Sequence, residues 1–463
     1  MLLSLNTFLN NMKFFKKIQL IIKSKMYTLL NFFLSRPLFF IIEFTLKRKI
    51  NQKVSILKRF YLMDYYEKKK IQNQKLLKII NYSYENIKFY KKFYDQNNVP
   101  INKIQNDIKY FEDFPLIDKK ILRENYYDFF SSKIKKTYSN CSSGTTGDSV
   151  RFFYDTNAAD YSSAVTIFCR DQNISKYDKQ IHFSSLVETQ AGLSKQDLFK
   201  SIIFNRENIA YQDLSDEVLF EIYKKIRIIK PTLIHSHPSV MFLLACYVEK
   251  NFSKEESTSM FGIFEASGEL LEDYMTKMIK DVFNCKILNR YGLSEFGIVA
   301  YQLSSEQNYL EVINRCFKAE SVLKNTSDKI GEIVISGLEN FYMPLIKYKS
   351  GDLGNVYSQG SQTFIKDIYG RVHDFFYIDQ KKYSTHFLMD ILDHKVLNIR
   401  NFQILVKFNS VLLNLVIEND DYFLQTKNNC QKYLPKGLKY DFINDSELKL
   451  SGNRSKFNHI VNI

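Results

Sequence analysis

Between residues 138 and 369 the chain alternates short strand-like runs with longer helical ones, and this alternation constrains the fold most. ILNRYGLSEFGIVAYQ, YLEVINR, GEIVISGL and MPLIKYK read as strands, while LSDEVLFEIYKKIRII and PSVMFLLACYVEKNF have helical character. Such a pattern predicts an α/β core whose β-sheets are covered by helices. A length of 463 residues exceeds the size at which one core usually stops growing, so two domains are expected. With 45% hydrophobic residues the chain can fill a sizeable core. Residues 51–135 read as mostly helical, with lysine-rich amphipathic stretches.

One segment resists a packing explanation. Ser142, Ser143, Gly144, Thr145, Thr146 and Gly147 form an unbroken small, hydroxylated run ahead of the strand-like VRFFY. Glycines permit sharp turns and close backbone approach. Hydroxyls and backbone N–H groups in such a loop can wrap phosphate oxygens. A polar hairpin turn has the same composition. The run is not a Walker loop, because the Gly-Lys-Ser/Thr ending is missing.

Two distant segments bear on that choice. Tyr291-Gly292-Leu293-Ser294-Glu295-Phe296-Gly297 interrupts a β-rich run, and Lys347-Tyr348-Lys349-Ser350-Gly351-Asp352 follows a strand. With the Ser/Gly/Thr loop they resemble, in the same order, the signature segments of the adenylate-forming superfamily. INYSYENIKFYKKFYDQNNV (80–99) and FEDFPLIDKKILRENYYDFF (111–130) narrow the resemblance. They are similar to the entry region of the phenylacetate–CoA ligase branch and its relatives in capsular-polysaccharide gene clusters. The similarity extends from about residue 75 to the C-terminus.

The resemblance implies a large AMP-binding N-terminal domain, 51–369, and a small mobile C-terminal α+β lid, 370–463, meeting at YGRVHD (369–374). It implies ATP- and Mg²⁺-dependent conversion of a small carboxylic acid to an acyl-adenylate, with transfer to CoA or another acceptor. A carrier protein or a sugar amine or hydroxyl in surface-polysaccharide assembly is such an acceptor. The loop Ser142–Gly147 would line the triphosphate, although Asp148-Ser149 stands where Lys-Pro is frequent. Tyr291 and Gly292 would lie at the adenine, Ser294 at the α-phosphate, and Glu295 would hold Mg²⁺, which takes hard oxygen ligands. Asp352 would accept from the ribose hydroxyls, and Arg371 would add a ribose or phosphate contact. Ser267 and Gly268 would wall the adenine. Lys456, in Ser455-Lys456-Phe457, would bridge the acyl carboxylate and the α-phosphate. Outside that context a lysine near a basic C-terminus is a solvated charge, and Glu295 a solvated carboxylate at a turn.

The acyl pocket is expected near His235, His237 and Phe264, by position alone. Two histidines without a third ligand are usually core or helix-start residues, so no metal is assigned to them. A Cys/His cluster found after the corresponding glutamate in some relatives is replaced here by Gln302-Leu303, so no zinc is expected. Departures at Asp148, His373 and Ser455 keep a second class open: a non-catalytic nucleotide- or membrane-surface-binding protein retaining the fold.

Charge concentrates early. Of the net +15, from 65 basic and 50 acidic residues, much falls in KKIQLIIKSK, LKRKINQK and YEKKKIQNQKLLK. No aromatic-interleaved basic module accompanies them, so nucleic acid is not an expected partner. Residues 1–50 read as a basic, apolar helical extension suited to peripheral contact with the inner membrane face. Arg36, Pro37 and Glu43 interrupt its apolar stretch 27–46, which argues against a span and for an interfacial helix or one packed on the protein's own surface. No secretory cleavage site follows an apolar run. Six scattered cysteines without a CxxC pair read as reduced thiols of a cytoplasmic protein.

Overall fold

The computed structural model describes residues 37, 39–41, 43–105, 107–135, 137–141, 150–185, 201, 204–211, 216–323, 330–368, 375–378, 381–384, 392, 396, 398–407, 410–417, 420–451, 456–457 and 460–462. Helices Ile50–Leu62, Tyr65–Asn86 and Lys88–Gln96 precede the first strands. Then come β1 (Thr137–Cys141), β2 (Arg151–Asp155), β3 (Gln180–Ser185), β4 (Arg206–Tyr211), β5 (Leu233–Ser236), β6 (Ile263–Ser267) and β7 (Lys286–Leu293). They are followed by β8 (Gly297–Tyr301), β9 (Leu310–Val312), β10 (Phe317–Val322), β11 (Gly331–Gly337), β12 (Tyr348–Gln359) and β13 (Gln362–Lys366). Past residue 374 lie β14 (Phe375–Ile378), β15 (Lys381–Ser384), β16 (Ile399–Lys407), β17 (Ser410–Ile417) and β18 (Lys439–Phe442). The last are β19 (Leu450–Ser451), β20 (Lys456–Phe457) and β21 (Ile460–Asn462).

The chain divides into two compact units. One comprises residues 159–291 and 301–307 with the described part of 1–62; the other comprises 63–158, 292–300 and 308–463. In the first, β4, β3, β5, β6 and β7 lie side by side in that order, all parallel. Parallel strands need crossover connections, and helices Asp216–Ile229, Pro238–Asn251 and Asp273–Phe283 supply three of them. Their apolar faces pack with Ile181, Phe183, Ile234, Phe264, Ala266 and Ile287 from alternate strand positions into one core. Pro238 opens its helix, where its missing N–H costs nothing. The intervening residues His182, His235 and Glu265 fall on the other face, in one row by register.

The second unit holds the β1–β2 hairpin, paired from Thr137↔Asp155 to Cys141↔Arg151, and the antiparallel strands β10, β11, β12 and β13, with β9 beside β13. Helix Lys88–Gln96 contributes aromatic packing: Phe89 stacks on Phe129 at 4.0 Å between ring centroids, and Tyr94 meets Phe114 edge-on. The fully buried Tyr90 hydroxyl donates to Pro344 O and accepts from Ile346 N, both at 3.0 Å, so the entry region is tied to the loop leading into β12. A smaller C-terminal α+β domain follows. In it β16 and β17 are antiparallel, and parallel strands β21 and β18 flank them. Helix Phe423–Tyr433 buries Cys430 against Leu413 and Leu415, giving this domain its own core. The α/β core, the covered sheets and the smaller C-terminal domain thus match the expected fold class.

Candidate active site

Backbone and tyrosine hydrogen bonds bring four of the sequence motifs together in the second unit. Ile117, in the PLID segment, forms a parallel bridge to Tyr348: its N–H donates to Lys347 O at 2.9 Å and its carbonyl accepts from Lys349 N at 2.8 Å. Asp118 then caps helix Lys119–Glu124 by accepting from Ile121 N. Tyr348 opens β12, and its hydroxyl donates to Glu295 Oε1 at 3.1 Å. Burial, then the charge of Glu295, raises the Tyr348 phenol well above its ordinary range, so it remains a donor at neutral pH. Tyr154, on β2, donates to the carbonyl of Ser294. Phe296 packs edge-on against Tyr348 at 5.9 Å.

The 292–297 loop can lie this close because of its glycines. A Cβ on Gly292 would sit 2.9 Å from the Gly297 carbonyl oxygen, and Gly297 itself has φ +77°. Ser294 and Glu295 at its tip are half-buried. The β1–β2 hairpin is anchored independently. Asp155 accepts from Ala158 N at 2.8 Å and Phe341 N at 2.7 Å, and Asn340 Nδ2 donates to Phe153 O at 2.8 Å. Ser142, Ser143, Gly144, Thr145, Thr146 and Gly147, between the hairpin strands, lie outside the described residues, as does Asp148. Asp352, half-buried on β12, donates its N–H to Ser350 Oγ at 3.1 Å across Gly351, whose φ is +82°.

The first unit holds a second constellation. Glu265 is completely buried on β6, and Arg170, at the end of helix Thr156–Arg170, clamps it through Nε (2.8 Å to Oε1) and Nη2. Tyr301 donates to Oε1 at 2.8 Å. His235 Nδ1 lies 2.8 Å from Oε2 without hydrogen-bond alignment, so that contact is one of charge and dipole. Burial alone would raise the Glu265 carboxyl, but the charge and hydrogen bonds of Arg170 outweigh it and hold the group well below the usual carboxylate range. His235 is pushed down to about 4, by burial first and then by Arg290.

Several expected positions are located by this geometry. His237 precedes helix Pro238–Asn251 and places Nδ1 2.9 Å from the carbonyl of Ser267, while Gly268 takes φ +86°. Ser267 and Tyr291 are buried at the ends of β6 and β7. Phe264 differs from expectation: it is fully buried on the core-facing side of β6, among the covering helices, because strand alternation sends Glu265 to the opposite face. Arg371 and His373 lie outside the described residues. Lys456 lies on β20, its backbone paired with Ser451 on β19. Among the described residues no cluster of three or more His, Cys, Asp or Glu side chains could hold a metal ion. Tyr154 and Arg170 were missed in the sequence, where neither carries a local signal; Glu265 was singled out only by its place beside Phe264, and its pairing with Arg170 was not foreseen.

No protein-family profile matches the chain. It is 26% identical over 408 residues to Protein CapK of Staphylococcus aureus, covering 83% of this chain and 88% of that one. Its structure is similar to that of 2-hydroxyisobutyryl-CoA ligase in the postadenylation state in complex with an acyl-AMP, with a TM-score of 0.65. That match has 14% identity and covers 87% of this chain and 90% of the other. The same ligase in its thioesterification state with CoA gives a TM-score of 0.54 at 15% identity, over 86% and 90% of the two chains. The chain therefore shares the fold of this CoA ligase. The loop 292–297 and the segment 347–352 are joined by the Tyr348–Glu295 hydrogen bond.

Proposed function

We propose that this protein activates a small carboxylic acid with ATP. The carboxylate oxygen bonds to the α-phosphorus, pyrophosphate leaves, and the acyl-adenylate then acylates a thiol, releasing AMP. CoA is the default thiol. The observation that carries this reading is the convergence of PLID, β2, YGLSEFG and KYKSGD through Ile117, Tyr154 and Tyr348. A chain that needed only the fold has no reason to fasten both Ser294 and Glu295 by tyrosine hydroxyls. In this scheme Ser142–Gly147 cradle the triphosphate, Tyr291, Ser267 and Gly268 wall the adenine, and Asp352 and Arg371 meet the ribose. Residues 370–463 act as the lid that delivers Lys456 to the α-phosphate.

Glu295 suits Mg²⁺: it is a hard oxygen donor, half-buried and oriented by Tyr348, and Mg²⁺ is usually bound by one or two carboxylates with phosphates and water completing the shell. Bound there, the ion would neutralise phosphate charge. The similarity to CapK and the entry-region motifs favour surface-polysaccharide assembly as the setting, with a carrier protein or a sugar amine or hydroxyl as an alternative acceptor.

ATP–pyrophosphate exchange across a panel of carboxylic acids tests the proposal. Exchange with at least one acid, abolished in Lys456→Ala while ATP binding is nearly unchanged, is the expected outcome. ATP binding without exchange on any acid would leave the non-catalytic nucleotide-binding alternative standing. A peripheral membrane role has its own support in an exposed apolar cluster, Phe40, Ile41, Phe44 and Leu46, next to the exposed Lys47 and Lys49.

A further inference from the structure

The polar row on β3, β5 and β6 is unbalanced. Glu265 is satisfied by Arg170 and Tyr301. Arg290 approaches it only at 3.5 Å through Nη1, and its Nε is buried without an acceptor among the described residues. Two guanidinium groups therefore face one carboxylate, and the neighbouring imidazoles add no negative charge. His182 stacks on His235 with 4.9 Å between ring centroids. Burial, His235 and the arginines 206, 290 and 170 all keep His182 neutral at physiological pH. The row is thus rich in donors and cationic charge and short of acceptors.

Its place in the sheet suits a ligand. In the order β4-β3-β5-β6-β7, the chain passes from β3 to β4 on one side and then from β4 to β5 on the other side of β3, so the strand order reverses between β3 and β5. Open α/β sheets bind ligands outside the carboxyl ends of their strands at such a reversal. His182 and His235 flank it, paired in register. Arg290 lies across from Ser267 and immediately before Tyr291, two positions assigned above to the adenine wall. The row is not sealed: the side chains of His235 and Arg290 keep 16% and 21% of their exposure.

We infer that this row recognises the distal end of the substrate acid, and that the substrate carries a second anionic group, as a dicarboxylic acid does. The inference rests on the acid-activating function proposed above. Arg290 supplies the charge, through the Nε that has no acceptor among the described residues. His182 adds a neutral imidazole donor, and the Glu265–Arg170 pair holds the row in position. The acid's second carboxylate points toward Arg290, which leaves its other carboxylate free to react. An apolar acid of equal length would leave Arg290 desolvated and unpaired, which is costly.

Exchange rates with adipate and hexanoate, acids of equal carbon count, test this. Adipate should exceed hexanoate at least tenfold in the intact protein. Arg290→Gln should reduce that preference to near parity, and Arg290→Lys should retain part of it. Should the glutamine variant not fold, His182→Phe is read instead, since it leaves the Glu265–Arg170 pair untouched. It should raise the KM for adipate several-fold with little change for hexanoate. A wild-type preference for hexanoate, or a preference unmoved by these substitutions, overturns the inference. Thermal stabilisation by adipate alone gives a readout independent of turnover. Stabilisation of the wild type but not of Arg290→Gln, without exchange on any acid, would sustain the anion site while sinking the acid-activation function. Without stabilisation by adipate and without exchange, both fail.

Discussion

One tyrosine and one glutamate carry the strongest residue-level expectations. Tyr348→Phe removes the donor to Glu295 but keeps the ring that packs on Phe296. The neutral hydrogen bond is worth about 1 kcal/mol to stability. If Glu295 works as proposed, pyrophosphate exchange should drop roughly tenfold while the melting temperature falls only slightly, a contrast typical of a positioning group. Equal exchange in wild type and variant would remove Tyr348 from the site. Glu265→Gln should behave oppositely, because it leaves Arg170 buried without its charge partner. Breaking such a pair costs about 3–5 kcal/mol, readable as a large shift in urea midpoint. A shift under about 1 kcal/mol would mean that the pair is much better solvated than its burial implies.

At the scale of the strand, the row β3–β5–β6 makes stability depend on pH. The folded state holds His235 at about 4, against an ordinary value of 6.5, through burial and the charge of Arg290. His182 is lowered further, again chiefly by burial and also by His235, Arg206, Arg290 and Arg170. Below about pH 6.5 the unfolded chain takes up protons that the folded chain refuses, so stability declines as pH falls from there toward 4. Conversion at 1.36 kcal/mol per pKa unit makes the His235 share about 3 kcal/mol. Glu265 contributes stability that is fully present above about pH 4.5 and is lost only in stronger acid, so the two windows follow one another. Urea midpoints measured from pH 7 to 4.5 should decline progressively, and the decline should be smaller in His182→Phe. A flat profile would show that neither imidazole is held neutral. The same strands illustrate the limit of periodicity: alternation pointed to sheets covered by helices, yet it named none of β3, β5 and β6 and could not say which of their residues face the helices. Phe264 was placed in the pocket by position, and register placed it in the core.

Across the whole molecule, thiol chemistry and surface chemistry make separate predictions. Cys169, Cys246, Cys285, Cys316 and Cys430 are buried thiols, not disulfides, and burial pushes Cys285 and Cys430 up to about 12. Iodoacetamide should therefore label these positions slowly in the native protein and quickly in urea, and reductant should leave the melting temperature unchanged. Fast native labelling at Cys285 would contradict its burial. No helix among the described residues is long and apolar enough to cross a membrane. The exposed cluster Phe40, Ile41 and Phe44 nevertheless predicts co-sedimentation of the full chain with vesicles containing anionic lipid. Phe40→Ser with Phe44→Ser should weaken this several-fold, and salt should weaken it too. Binding indifferent to both would remove the membrane role.

Local chemistry determined a good deal of this protein before any contact was known. Residue alternation determined the α/β class, and the order of the Ser/Gly/Thr run, YGLSEFG and KYKSGD gave the resemblance to the adenylate-forming superfamily. Those signals are written in adjacent residues. The fastening of Ser294 by Tyr154, of Glu295 by Tyr348 and of Tyr348 by Ile117 joins segments far apart in the chain, and no local pattern encodes such pairings. The Arg170–Glu265–Tyr301 cluster is the extreme case, since a lone charge in a strand reads as an irregularity until its partners arrive from a helix end and a later strand. Tertiary structure alone decided that row, because a charge can be buried only where the fold supplies its counter-charge.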